Sequence, residues 1–322
     1  MKLIARMATA ACLASAALAA AAQSPYPSQL ITLIVPFAAG SGTDIATRSL
    51  AKHLGDVLKV AVIVENKPGA NGAIGAQAVA RAKPDGYTLL IGSATTNAAN
   101  FAFYPGKLGY ESGSFEMVGG MAGSALALHV AASSPWKTVA DLVATAKTAK
   151  APGLSCGSGN AATQVACEVF RMRARVDMTT VPYRSNPQSL ADLTGSQISM
   201  AFSDTAASQA LVLGGKLRIL AIAGEHRNAT FPQVPTFGEQ GVAGMQVTAW
   251  TGVFAPTGTP AAVIERLNSE INRWIDSPEA TQLRAMSGSF ALRMSTQESR
   301  AFSAAEVSRW AQYIKETNVK PE

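Results

Sequence analysis

Histidine and cysteine are scarce in this chain, three of each in 322 residues, and neither is spaced as a metal-binding set. His53, His129 and His226 stand far apart and Cys156 and Cys167 are not set as a zinc pair, so no metal site is expected. Charged side chains make up 15% of the residues and are scattered. That leaves no concentrated basic face for a phosphate backbone and argues against nucleic acid as a partner. After residue 22 no apolar run reaches the roughly 20 residues that a membrane span needs. No repeat of solenoid period occurs, and no low-complexity tract beyond the N-terminus.

What is present begins with an export signal. Met1 to Arg6 carries Lys2 and Arg6 and no acid, and a small-residue apolar run follows from Met7 to Ala22. Small residues before Gln23 place cleavage near Ala22, giving a signal peptide at 1–22 and a soluble periplasmic protein. The run is too short and too rich in alanine for an anchor, and Thr9 stands where a lipid-attachment signal ending at Cys12 would want leucine. Without Lys2 and Arg6 the balance is 25 basic to 21 acidic side chains, too even for a charge-driven partner. Cys156 and Cys167 would meet an oxidising compartment, and their spacing leaves a disulfide and two buried thiols both open.

Apolar runs alternate with helical patterns, which predicts an α/β protein with mainly parallel strands. Strands are expected at 31–36, 61–65 and 87–92, then at 125–131, 154–157, 178–182, 198–203 and 217–223, and again at 247–255. Helices lie between them; Ala46, Leu50, Leu54 and Val57 share a face on the first, and Val263, Leu267, Ile271 and Ile275 on a late one. One series stops near 124 and the last begins near 248, so residues 23–124 with 248–322 form one expected lobe and 125–247 the other.

Ligands of α/β sheets sit beyond the carboxyl ends of the strands, and here those ends run into small-residue loops. In Phe37-Ala38-Ala39-Gly40-Ser41, Gly40 frees the backbone and Ser41 adds a hydroxyl at a helix start. Ser93, Thr95 and Thr96 offer similar groups after the third strand, as do Ser158, Asn160, Thr163 and Gln164 farther on. Backbone N–H and hydroxyl groups of this kind suit a carboxylate that must replace its hydrogen bonds to water.

Two enzyme-like patterns compete. Gly153-Leu-Ser155-Cys-Gly157 fits the GxSxG nucleophile elbow, with Asp192 or Asp204 and then His226 in the right order, which would make an exported serine hydrolase using Ser155. The polar Lys150-Ala151-Pro152 before it does not make the strand that an elbow serine must top. Gly157 to Ala162 fits GxGxxA, but nicotinamide cofactors are scarce outside the cytoplasm and no cofactor is expected.

YPSQLITLIVPFAAGSGTD at 26–44, VENKPGANGAIGAQAVARAKPDGYTLL at 64–90, VPYRSNPQSLADLTGSQI at 181–198, FPQVPTFGEQG at 231–241 and WTGVFAPTGTP at 250–260 together carry a family resemblance. The chain resembles the Bug-type, TctC-like extracytoplasmic receptors of tripartite tricarboxylate transporters over essentially its whole length after the signal. The resemblance implies a type II periplasmic-binding-protein fold, with two α/β lobes joined by two crossings and a cleft closed by hinge motion. It implies a non-enzymatic, monomeric receptor that captures a small carboxylate ligand and passes it to the membrane subunits of a transporter, or, as an orphan receptor, to a sensor protein.

By resemblance, the loop at 36–43 and Ser93 to Asn97 line one cleft wall, and Ser158 to Gln164, Arg184, Ser185, Asn186 and Asp204 the other. Arg184 is the expected cleft cation; Asp204 would accept from a ligand amine or hydroxyl, or cap the helix after it. Three positions depart from the family pattern. Ser41 and Ser185 stand where glycine is common and Gln164 where histidine is common, so the ligand is expected to differ from the family's better-known ones.

Overall fold

The computed structural model describes residues 26–148, 153–183 and 185–319. The leader read at 1–22 and the proposed cation Arg184 lie outside the described residues. Among the described residues no helix is long and apolar enough to cross a membrane.

Among the described residues, ten strands make one continuous sheet: β1 (Ile31–Val35), β2 (Val62–Asn66), β3 (Thr88–Ser93), β4 (Phe115–Ala131), β5 (Leu154–Ser158), β6 (Met178–Pro182), β7 (Met200–Asp204), β8 (Leu217–Ala223), β9 (Thr248–Pro256) and β10 (Phe290–Ala291). Their spatial order is β2-β1-β3-β9-β4-β7-β5-β6, with β8 and β10 each paired to β4. β1 is parallel to β2 and β3, and β5 is parallel to β6 and β7. The parallel expectation holds inside these two groups and fails where they join, because β4, β8, β9 and β10 meet their neighbours antiparallel.

β4 is the joint. Up to Ala125, which lies opposite Thr248, it pairs with β9; from Leu126 onward it pairs with β7 and β8. The sequence pattern places this strand at 125–131, whereas it begins ten residues earlier, at Phe115, and includes Gly119, Gly120 and Gly123. They are strand residues that make room: Gly120 lies against the Leu292 carbonyl and Gly123 against the Phe290 ring, close approaches that a side chain would block.

Among the described residues, ten α-helices cover the sheet: α1 (Gly42–Leu58), α2 (Ala73–Ala80), α3 (Asn100–Phe103), α4 (Val139–Ala146), α5 (Ala161–Ala174), α6 (Asn186–Thr194), α7 (Thr205–Leu213), α8 (Ala261–Ile275), α9 (Pro278–Ser287) and α10 (Thr296–Thr317). α1 starts where Ser41 accepts the Asp44 N–H and buries Leu50, Leu54 and Leu58, each stabilising by roughly 1.5–3 kcal/mol. α8 buries Val263, Ile264, Leu267, Ile271 and Trp274 at helical spacing. α10 opens on a reciprocal Ser295/Glu298 cap and runs against β4 and α5. It ends in an Arg173–Glu316 ion pair of 2.9 Å that joins it to α5.

The thiols are settled as a disulfide. Cys156 on β5 and Cys167 on α5 are bonded, with Cα atoms 6.0 Å apart, inside the range a bridge requires. Both are fully buried, so the link staples strand to helix on either side of the loop at 159–160.

Candidate functional site

The loop after β1 is held from beneath. Asp44, in the first turn of α1, is buried and accepts from the Gly40 N–H at 2.9 Å, from Arg48 Nε at 2.9 Å and from Asn66 Nδ2 at 2.9 Å. Asn66 Nδ2 also donates to the Phe37 carbonyl at 3.1 Å. Burial alone would push the Asp44 carboxyl up; the hydrogen bonds from Arg48, Gly40 and Asn66 outweigh it and hold the group at about 2. Asp44 is therefore charged, and the loop above it is fixed with Ala38, Ala39 and Gly40 exposed and Phe37 half-buried. Ser41, one of the three departures, uses its hydroxyl as the α1 cap at 3.2 Å.

Residues 93–99 stand beside this loop. Thr95–Ala99 form a π-helical turn, a wide turn frequent at functional sites. The Ser93 and Thr96 hydroxyls are used locally: Thr96 Oγ1 receives the Ser93 N–H at 2.9 Å and donates to Asn97 Oδ1 at 2.7 Å, and Tyr110 anchors the Thr96 carbonyl at 3.0 Å. Thr96 is fully buried while Thr95 is half-exposed, so Thr95 is the better placed of the pair for a ligand. Gly72, at φ +81°, packs on Thr96 and Pro36 and ties a third loop to the first two.

The loops after β5, β6 and β7 meet at Asn186. Asn160 caps α5 by accepting the Thr163 N–H at 3.0 Å, and Thr163 Oγ1 receives the Gly159 N–H at 2.9 Å. That hydroxyl donates to the Asn160 carbonyl at 3.0 Å, with Asn186 Oδ1 3.4 Å away, and Asn186 Nδ2 donates to Asp204 at 3.3 Å. The other Asp204 oxygen caps α7 through the Ala207 N–H at 2.8 Å, the helix-cap alternative. Gly159 lies directly on the Ser185–Asn186 backbone, so β5, α6 and α7 present their ends as one surface. Ser185 is exposed and makes no side-chain capping bond, and Gln164 is half-buried in the first turn of α5.

Ser158 differs from its neighbours. It is fully buried at the end of β5, yet its Oγ has no hydrogen-bond partner. Nearly all such groups in proteins are partnered, and this one lies just before the start of a 14-residue helix. All these loops follow the carboxyl ends of parallel strands, and α5 packs against the Thr95–Ala99 turn. Sequence reading missed the Asp44–Asn66 support; its one trace was the polar Asn66 ending the apolar strand at 61–65.

The nucleophile elbow does not form. Ser155 sits within β5, paired with Thr179 of β6, rather than on a strand-to-helix turn. Its Oγ accepts the Ser199 N–H at 3.0 Å, and the Asp192 carboxylate is occupied by the Tyr183 hydroxyl at 2.9 Å.

Residues 46–319 match the family described as TctC, tripartite tricarboxylate transporter family receptor. The chain is 32% identical over 303 residues to protein BugT of Bordetella pertussis, spanning 92% of this chain and 91% of BugT. It is similar to the solved structure of R. palustris Rpa4515 with adipate, at 30% identity and a TM-score of 0.79 over 92% of this chain and 100% of the other. It is also similar to MatC from Rhodopseudomonas palustris with bound malate, at 28% identity and a TM-score of 0.75 over 90% and 100% of the two chains. These likenesses bear out the periplasmic-binding-protein fold expected from the sequence.

Proposed function

Because the chain belongs to the tripartite tricarboxylate transporter receptor family, we propose that it captures a small carboxylate in the periplasm and delivers it to the membrane subunits of such a transporter. Capture is by closure of two lobes, residues 23–124 with 248–322 and residues 125–247, about the crossing strands β4 and β9. No bond is made or broken. The relatives solved with adipate and malate make small carboxylates the ligand class to test, and the departures at Ser41, Gln164 and Ser185 separate the preferred acid from those two.

The observation that carries this reading is the orphaned, buried Ser158 hydroxyl beside α5. A carboxylate oxygen there gives Ser158 its missing acceptor and meets the positive end of the helix. The exposed backbone at Ala38–Gly40, with Thr95 and Ser185, grips the remainder of the ligand, and Arg184 supplies the opposite charge.

A thermal-shift screen of the purified protein against adipate, malate and other mono-, di- and tricarboxylates, followed by calorimetry, tests it. A ligand that binds only the folded state raises stability by mass action. One-to-one binding of an acid supports the proposal; absence of any binding acid sinks it.

A further inference from the structure

Resting on the two-lobe reading above, we propose that Asn228, Gly288 and Thr205 form a latch between the lobes that sets their open–closed balance, and so the affinity for ligand, without touching the ligand. Asn228 follows β8, Thr205 opens α7 directly after Asp204, and Gly288 ends α9, in the segment after β9. The contact therefore joins the two expected lobes close to the crossing strands: Phe290, two residues beyond Gly288, pairs with Gly123 of β4.

Every hydrogen-bonding position on the Asn228 side chain is used. Its Oδ1 accepts the N–H groups of Thr230 at 2.8 Å and Phe231 at 3.3 Å. That fixes which way the amide faces, and Nδ2 then donates to the Gly288 carbonyl at 2.7 Å and to Thr205 Oγ1 at 3.1 Å. Asn228 is 7% exposed and Thr205 1%, so these bonds are shielded from water.

The other half of the latch is shaped to fit. Gly288 holds φ +61° as the left-handed cap of α9, and a Cβ there would strike Thr205 Oγ1. Glycine thus serves both the turn and the approach to α7. α9 itself packs against α1 on one side and α7 on the other, so the latch ties the helix after the first anion loop to the helix after Asp204. Beside it, Ala125, Thr248, Asn228 and Gly288 border a cavity of about 370 Å³.

Asn228→Asp is the decisive variant. It keeps an oxygen for Thr230 and Phe231 and replaces the donor with a second oxygen facing the Gly288 carbonyl. Gly288→Ala attacks the same contact from the other lobe. Small-angle scattering of the ligand-free proteins, with circular dichroism to show that each is folded, should give both variants a larger radius of gyration than wild type. If adipate or malate binds, affinity should fall roughly five-fold, the loss expected for one hydrogen bond. Unchanged radii of gyration in both folded variants would overturn the latch. Should neither acid bind any form, the receptor reading suffers, while a difference in ligand-free dimensions would still uphold the latch.

Discussion

The indole nitrogen of Trp250 donates to the carboxylate of Glu306 at 2.6 Å. Trp250 sits on β9, opposite Gly123 of β4, and Glu306 on α10, so one bond fastens the C-terminal helix to the strands that join the two halves. Glu306 is 1% exposed and also receives Trp310 Nε1 at 3.3 Å and Arg309 at 2.6 Å. Glu306→Ala would orphan two buried indole N–H groups and should cost about 2–4 kcal/mol. Glu306→Gln retains an acceptor and should cost less. Urea unfolding followed by tryptophan fluorescence checks the order.

Ser158→Ala separates binding from folding. Because the Oγ has no partner within the protein, its removal should leave stability within about 0.5 kcal/mol or raise it slightly. Affinity for the cognate acid should fall about ten-fold, the worth of a hydrogen bond to a charged group. A variant that binds as tightly as wild type would mean that Ser158 does not meet the ligand.

Acid should destabilise the fold in two steps. His129 is fully buried on β4, with Nε2 2.7 Å from Ser208 Oγ, and burial lowers it from 6.5 to about 4. The unfolded chain therefore binds a proton that the folded chain does not, and stability falls as pH drops from about 6.5 to about 4, by about 3 kcal/mol. Asp44, held at about 2 against 3.8, has the usual depressed-carboxylate sign: its contribution is complete above 3.8 and is lost as pH falls through 2. Melting temperature measured against pH should flatten in the upper window alone for His129→Gln.

The Cys156–Cys167 bridge closes a short loop, and replacing both cysteines with alanine should cost about 3 kcal/mol. Since the bridge joins the strand and helix that present Ser158 and Asn160, ligand affinity should fall as well. Chemical denaturation and calorimetry on the double variant read the two effects separately.

Much of this was legible in the chain. β8 runs from 217 to 223 as the apolar pattern predicts, and the loops of small residues lie where the strand ends place them. Ser41 and Asn160 cap helices three residues from their partners, and bonds that short are written in the local order of residues. The first half of β4 was not legible, because the use of Gly120 and Gly123 there depends on Leu292 and Phe290, more than 160 residues away.

The sequence by itself determined the alternation of strand and helix, the small-residue loops at the strand ends and the family. Tertiary structure alone decided that the cysteines close, that Ser158 is buried without a partner, and that Asn186 joins Thr163 to Asp204. It also decided that Asp44 and Asn66, 22 residues apart, support the first loop together. The physical reason is range: backbone patterns and caps act over about four residues, whereas burial and side-chain pairing between distant elements exist only once the sheet has brought them into contact.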